Sequence, residues 1–187
     1  MGELIKANED LMKLEDKDVR IIYLPPMTVA AAFAWGEDCL DKASDVLNKF
    51  IKESGLLKVK PDARGFDFDY VGDEAEHGEN SHGHEAWVSV PNNMEIPAPL
   101  VRREFRGGLY AAHVLREWDF QDWRRLKEWV KTSDKYDSDW GSQRWESAET
   151  GYGQGFEETL NLYNFIQKHN ADMSYLQLDL LLPIKEK

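Results

Sequence analysis

The chain has 187 residues, of which 42% are hydrophobic and 12% aromatic, and this composition excludes a disordered tail. Its 35 acidic side chains outnumber 23 basic ones and give a formal charge of −12, which disfavours unaided nucleic-acid binding because the average surface repels phosphates. The length suits one compact domain, and we expect residues 1–187 to form it.

Apolar runs bounded by turn residues predict four strands in the first half of the chain, at residues 19–24, 27–33, 66–70 and 85–90. A helix is predicted between the second and third strands, because apolar residues recur at three- and four-residue spacing from Cys39 to Ile51. Gly55 is placed to end this helix, and Pro91 closes the last strand.

The same order of elements returns in the second half. Strands are predicted at residues 100–105, 109–115, 156–160 and 176–182, the last closed by Pro183. A helix begins near Asp119, and one of its faces carries the apolar residues Phe120, Trp123, Leu126, Trp129 and Val130. The repeat is weak in sequence but clear in order. It predicts an α+β fold of two pseudo-two-fold-related β-α-β-β units, spanning residues 19–91 and 100–183, that form an antiparallel sheet.

Helices on one face of this sheet are expected to leave the other face free, with a ligand cleft between the two halves. If Phe156 points beneath the helices, strand alternation places Glu157 on the free face and turns Glu158 inward, unless it lies at the edge. Glu157 is therefore the candidate carboxylate of the cleft. Burial would raise its pKa, whereas a cationic ligand would favour its charged form. The alternative is that both glutamates are ordinary edge-strand charges.

Two aromatic residues are candidates for the same cleft. Trp87 is predicted on the free face, because the small residues that alternate with it form the other face of its strand. Its indole can stack on a flat ligand or on a cation near Glu157, or it can pack beneath neighbouring segments. Tyr110 has a hydroxyl that can donate to a ligand or to Glu157, and a structural tyrosine is the alternative.

Seven tryptophans are many for this length, and Trp140 and Trp145 fall in the polar segment 132–155, which can form a lid over the cleft. The loop at residues 77–84 carries histidines and acidic residues that can capture a metal, although a solvated loop is the favoured interpretation. Cys39 lies on the apolar stripe of the first helix, which indicates a core position. We expect no metal and no cofactor.

The environment of the protein is also restricted. No apolar run is long enough to cross a bilayer, and the first residues lack the basic-then-apolar order of a signal peptide. Because Cys39 is the single cysteine, no internal disulfide can form, and a cytoplasmic protein is expected. The oligomeric state is left open between monomer and homodimer.

Four stretches resemble GyrI-like small-molecule-binding proteins, a group that includes the effector-binding domains of multidrug-sensing transcriptional regulators of the AraC and MerR types. They are Glu85-Ala86-Trp87-Val88-Ser89-Val90-Pro91, Arg103-Glu104-Phe105-Arg106-Gly107-Gly108-Leu109-Tyr110-Ala111-Ala112, Phe156-Glu157-Glu158 and Leu178-Asp179-Leu180-Leu181-Leu182-Pro183-Ile184. The resemblance implies that Glu157 meets lipophilic cations and that Trp87 and Tyr110 contact their rings. Thr159 departs from the Tyr or His that many relatives carry.

The resemblance implies three functions. The first is a stand-alone receptor that senses or sequesters aromatic and often cationic small molecules, with Glu157, Glu158, Trp87, Tyr110, Trp140 and Trp145 as ligand-binding residues. The second is a hydrolase that opens cyclopropane rings of DNA-alkylating toxins, in which Glu157 activates water and Tyr110 assists the departing group. The third is a gyrase-inhibitor-like interaction protein. Only about 18 polar residues precede the first predicted strand, so direct binding to nucleic acid is not expected.

Overall fold

Nine strands form one curled antiparallel sheet in the computed structural model, which describes residues 13–71, 82–115, 118–140, 155–169 and 173–187. The strands are β1 (Arg20–Leu24), β2 (Met27–Trp35), β3 (Gly65–Val71), β4 (His82–Ser89), β5 (Val101–Phe105), β6 (Gly108–Val114), β7 (Tyr136–Ser138), β8 (Phe156–Thr159) and β9 (Leu178–Glu186). The α+β class and the eight strands predicted from the sequence are confirmed.

The helices are few. They are α1 (Cys39–Glu53), α2 (Leu56–Val59), α3 (Asp122–Thr132) and α4 (Leu162–Asn164), the last followed by a π-helical turn (Phe165–His169), with short 3₁₀ turns at Asp16–Asp18 and Met173–Tyr175. The second long helix begins at Asp122 and not near Asp119, because Asp119 forms the turn before it and its side chain accepts from the backbone N–H of Gln121 over 3.1 Å. No helix among these is long and apolar enough to cross a membrane within the described residues.

Two details of the strands differ from the predictions. β9 continues through Pro183 to Glu186, because Pro183 pairs opposite Tyr110 and its carbonyl oxygen accepts the N–H of Asp139 over 2.9 Å. The continuation also pairs with β7, a three-residue strand within segment 132–155 that the sequence did not predict. Residues 141–154 of that segment, which was predicted as a lid, lie outside the described residues.

The order of the strands is β1-β6-β9-β8-β3-β4-β2-β5, with β7 on β9. If each strand is exchanged for its counterpart in the other half (β1 for β5, β2 for β6, β3 for β8 and β4 for β9), the order reads the same from the opposite end. The order thus has the symmetry that the repeat suggests, while the pseudo-two-fold relation of the halves in space stays a prediction. Strands β3 and β8 join the two halves at the centre of the sheet.

Helices cover one face of the sheet. Leu47, Phe50 and Ile51 of α1 pack on small residues of β2 and β4, and Leu126 and Val130 of α3 pack on Leu180 and Leu182 of β9. The registers show that both helices lie on the same face, because Ala86, Asp67, Glu157 and Leu180 are paired in one row across β4, β3, β8 and β9.

The opposite face is filled by an aromatic cluster, so the prediction of a free face was wrong. Around Phe156, five rings lie with their centroids 5.2–5.9 Å from its own. These rings, which with Phe156 define the aromatic cluster, belong to Phe66, Phe68, Trp87, Phe105 and Tyr110. Phe156 is 1% exposed, and it contributes to the core on the face opposite to the one expected.

We expect Phe156→Ala to lower the free energy of unfolding by about 3–5 kcal/mol, because it removes a buried ring and leaves a cavity among five others. Urea denaturation measures the change. Phe120→Ala is the matched control, since Phe120 is 46% exposed and its loss should cost well under about 1 kcal/mol. An equal effect of the two substitutions would contradict the central place of Phe156 in the core.

Candidate functional site

A cavity of about 250 Å³ lies on the helix face, above the centre of the sheet. Its floor includes Asp67 and Glu157, which pair directly across β3 and β8. One wall is α1, and another is formed by Trp118 and Phe120 in the turn before α3. The cavity therefore lies above β3 and β8, where the two halves of the chain meet and the helices leave space for a ligand.

Glu157 is the chemically distinctive residue of this cavity. Burial raises the pKa of its carboxyl group, and the nearby charges of Asp67 and Asp69 raise it further. The indole N–H of Trp123 donates to Glu157 Oε1 over 3.1 Å and lowers the pKa in part. No other hydrogen bond reaches the Glu157 carboxylate from the described residues, so among them Oε2 has no donor.

His84 supplies a positive charge beside the two aspartates. It is buried in β4, and its ring nitrogens lie 2.8 Å from Asp69 Oδ1 and 3.3 Å from Asp67 Oδ1. Burial alone would lower the pKa of His84, but the hydrogen bonds to Asp67 and Asp69 outweigh it and raise the pKa to about 9. His84 is therefore protonated at neutral pH.

The cavity is acidic and rimmed by aromatic rings. Asp41 and Asp45 of α1 line it together with Asp67 and Glu157, and His84 is the one basic side chain among the described lining residues. Trp118 and Phe120 are 42% and 46% exposed, with ring centroids 6.3 Å apart. A surface of this kind suits a flat ligand with a positive charge.

Nothing in the described ranges forms a group of three or more His, Cys, Asp or Glu side chains that could hold a metal ion. His82 and His84 of the predicted histidine loop belong to β4, while residues 77–81 lie outside the described residues. Cys39 is 2% exposed in the core, as expected, and burial raises the pKa of its thiol.

The structure places Glu157 in the cavity but on the face opposite to the predicted one. The reason is the alternation of β8, since Phe156 joins the aromatic cluster and turns Glu157 toward the helices. Glu158 then lies on the Phe156 side of the strand, where Arg64 Nε and Nη2 donate to its two oxygens over 2.6 and 2.7 Å. Glu158 is thus held in an ion pair away from the cavity.

The two predicted aromatic partners are not brought to Glu157. Trp87 borders the cavity, but its indole is 1% exposed within the aromatic cluster and donates to Glu85 Oε1 over 2.6 Å. Tyr110 is buried in the same cluster and does not line the cavity. Trp140 is exposed beneath Lys127 and also does not line it, and Trp145 lies outside the described residues.

Sequence reasoning missed the residues that do surround Glu157. Phe120 and Trp123 were assigned to the apolar face of the second helix, although Phe120 rims the cavity together with Trp118 and Trp123 donates to the carboxylate. Asp67 could have been found from the alternation of Phe66-Asp67-Phe68, had the pairing of β3 with β8 been known. His84 had no signal beyond its place in a histidine-bearing stretch.

Comparison with known proteins gives a family match. The family model described as "Cass2: Integron-associated effector binding protein" matches residues 20–184. The curated proteins contain no match to this chain.

Solved structures share the fold at low sequence identity. The EcmrR C-terminal domain superposes with a TM-score of 0.58 at 10% identity, covering 90% of this chain and 98% of that one. A structure titled as a hydrolase encoded by lin2189 from Listeria innocua gives a TM-score of 0.55 at 10% identity, covering 97% of this chain and 98% of that one. At these identities the similarity shows the fold alone.

The charge on His84 makes stability depend on pH. The pKa of His84 is raised from 6.5 to about 9 in the folded protein, so its charged form stabilises the fold. This stabilisation is fully present below pH 6.5 and is lost as the pH rises through 9. We expect the free energy of unfolding to fall by on the order of 2 kcal/mol over this range in the wild type, and less in His84→Gln. Urea denaturation at several pH values tests this, and parallel curves for the two proteins would contradict it.

Proposed function

Because this chain belongs to the Cass2 family of integron-associated effector binding proteins and has the GyrI-like fold, we propose that its helix-face cavity captures aromatic, lipophilic and often cationic small molecules. Effector binding is the property that the family description states. We assign effector binding to the cavity around Glu157 and take the ligands to be aromatic and often cationic compounds.

One observation supports the proposal: a partly buried carboxylate, which accepts only the Trp123 hydrogen bond from the described residues, lies at the floor of a cavity rimmed by aromatic rings. Burial makes the charge on Glu157 costly, as the direction of its pKa shows. A cation placed beside it would offset that cost, whereas a neutral ligand would not. Asp41, Asp45 and Asp67 add to the negative potential of the same cavity.

The aromatic rim supports the flat, apolar part of the ligand. Trp118 and Phe120 leave nearly half of their side-chain surface exposed at the mouth of the cavity, which is the arrangement expected of rings that a guest would cover. A cavity of about 250 Å³ suits a fused bicyclic ring with a small substituent. Bulkier compounds would extend past the rim.

A pair of isosteric probes tests the ligand class. N-methylquinolinium and 1-methylnaphthalene have the same shape and differ by one positive charge, so the ratio of their affinities measures selectivity for cations. We expect Glu157→Gln to lower the affinity for N-methylquinolinium by about tenfold, or about 1.4 kcal/mol. The affinity for 1-methylnaphthalene should stay within about twofold of the wild-type value. Tryptophan quenching or calorimetry measures both affinities.

Glu128→Gln is the matched control for this experiment. It removes the same charge from an exposed position of α3, where Glu128 pairs with Lys131 and does not line the cavity. Glu128→Gln should keep the cation selectivity of the wild type. Equal loss in the two variants, or a wild type that binds neither probe, would overturn the proposed function.

Hydrolysis is a second candidate function, favoured by the raised pKa of Glu157, because a carboxylate with a raised pKa is a stronger base toward water. Tyr110 lies in the aromatic cluster and is not the acid partner in this arrangement. Mass spectrometry would detect addition of water to a cyclopropane-bearing compound. Turnover by the wild type that disappears in Glu157→Gln would support this function, and no turnover by the wild type would remove it.

A further inference from the structure

The indole of Trp123 stands between the cavity and a second tryptophan. Its Nε1 donates to Glu157, and the far edge of its ring packs against the backbone of Gly155. A Cβ at position 155 would lie 3.0 Å from Trp123 Cη2 and 3.0 Å from Trp140 Cζ3. A side chain at position 155 would therefore be tightly packed, and the two indoles would have to give by a few tenths of an ångström to admit it.

Helix α3 holds both of these indoles. Trp123 belongs to the helix, and Lys127, one turn later on the same face, places its ammonium group 5.0 Å from the centroid of the Trp140 ring. The chain of contacts runs from Lys127 to Trp140, then to Gly155 and Trp123, and ends on the carboxylate. Trp140 does not line the cavity, and it is connected to Glu157 only indirectly, by packing through Gly155 and Trp123.

We propose that Trp123 is a positioning residue of the binding site: its indole N–H orients the Glu157 carboxylate toward the ligand, and the packing of Gly155 and Trp140 holds the indole in place. This inference rests on the proposed function of the cavity for its biological meaning. The contact itself is a property of the ligand-free protein and can be tested without any ligand.

The charges around Glu157 show why this one donor matters. Asp67 and Asp69 of β3 face the carboxylate and disfavour its ionised form, and Asp41 and Asp45 of α1 line the same cavity. His84 of β4 favours the ionised form but is already engaged by the two aspartates of β3. Trp123 is the hydrogen-bond donor that the described residues offer directly to Glu157.

Trp123→Phe removes the N–H and keeps an aromatic ring. Trp129→Phe is an unusually close control, because Trp129 lies on the same helix and its indole N–H also donates to a carboxylate over 3.1 Å, that of Asp16, outside the cavity. A carbon-13 NMR titration of the Glu157 carboxyl, assigned with Glu157→Gln, is the direct readout. We expect its midpoint to rise by roughly one pH unit in Trp123→Phe and to stay in place in Trp129→Phe.

Binding of the two probes provides the second readout. At a pH just above the titration midpoint of the wild type, we expect Trp123→Phe to lower the selectivity for N-methylquinolinium over 1-methylnaphthalene severalfold, whereas a merely structural loss would weaken the binding of both probes alike. An unchanged titration midpoint would overturn the positioning role, whether or not the probes bind. A shifted midpoint in a protein that binds neither probe would support the role of Trp123 and refute the proposed function.

Gly155→Ala tests the contact behind Trp123. The two indoles must give by a few tenths of an ångström to admit this methyl group. Because this packing is proposed to hold Trp123 in place, we expect the Glu157 titration to move in the same direction as in Trp123→Phe. If Trp123→Phe shifts the midpoint and Gly155→Ala does not, the part of the proposal that involves Gly155 and Trp140 is wrong.

Discussion

The packing of Phe156 among five other aromatic rings determines on which face of the sheet the functional side chains lie. Because successive residues of a strand point to opposite faces, burying Phe156 in the aromatic cluster directs Glu157 to the helix face. The register of β8 with β3 then fixes the neighbour of Glu157 as Asp67. The packing of this aromatic cluster on one face thereby sets which side chains line the cavity on the other face.

The cavity brings together a partly buried carboxylate and exposed apolar rings, both of which a bound ligand would stabilise. Glu157 is partly buried and accepts one hydrogen bond from the described residues, and Trp118 and Phe120 leave apolar rings exposed at the rim. The neighbouring charges on Asp67 and Asp69 are partly balanced by His84, which shares its protons between them. A flat cation would address the remaining charge and cover the remaining apolar surface, which is the physical basis of the proposed ligand class.

The sequence located eight strands and the two long helices, but it missed the short strand β7 and did not assign the two faces of the sheet correctly. Alternation in Phe66-Asp67-Phe68 and the helical spacing from Cys39 to Ile51 correctly located β3 and α1. The assignment of Phe156 to the helix side failed because this sheet buries apolar residues on both faces, and alternation alone does not say which face the helices cover. Glu157 was predicted as the cleft carboxylate and does line a cavity, but its contact with Trp123 depends on how α3 packs over β8, which no local pattern encodes.

We propose that ligands bind on the helix face beside Glu157 and not within the aromatic cluster. Each tryptophan gives one indole N–H cross-peak in a nitrogen-15 correlation spectrum, so titration with N-methylquinolinium compares the two faces in one experiment. We expect the peaks of Trp118 and Trp123 to shift and that of Trp87, whose N–H donates to Glu85, to stay in place. A shift of the Trp87 peak with an unmoved Trp123 peak would contradict it.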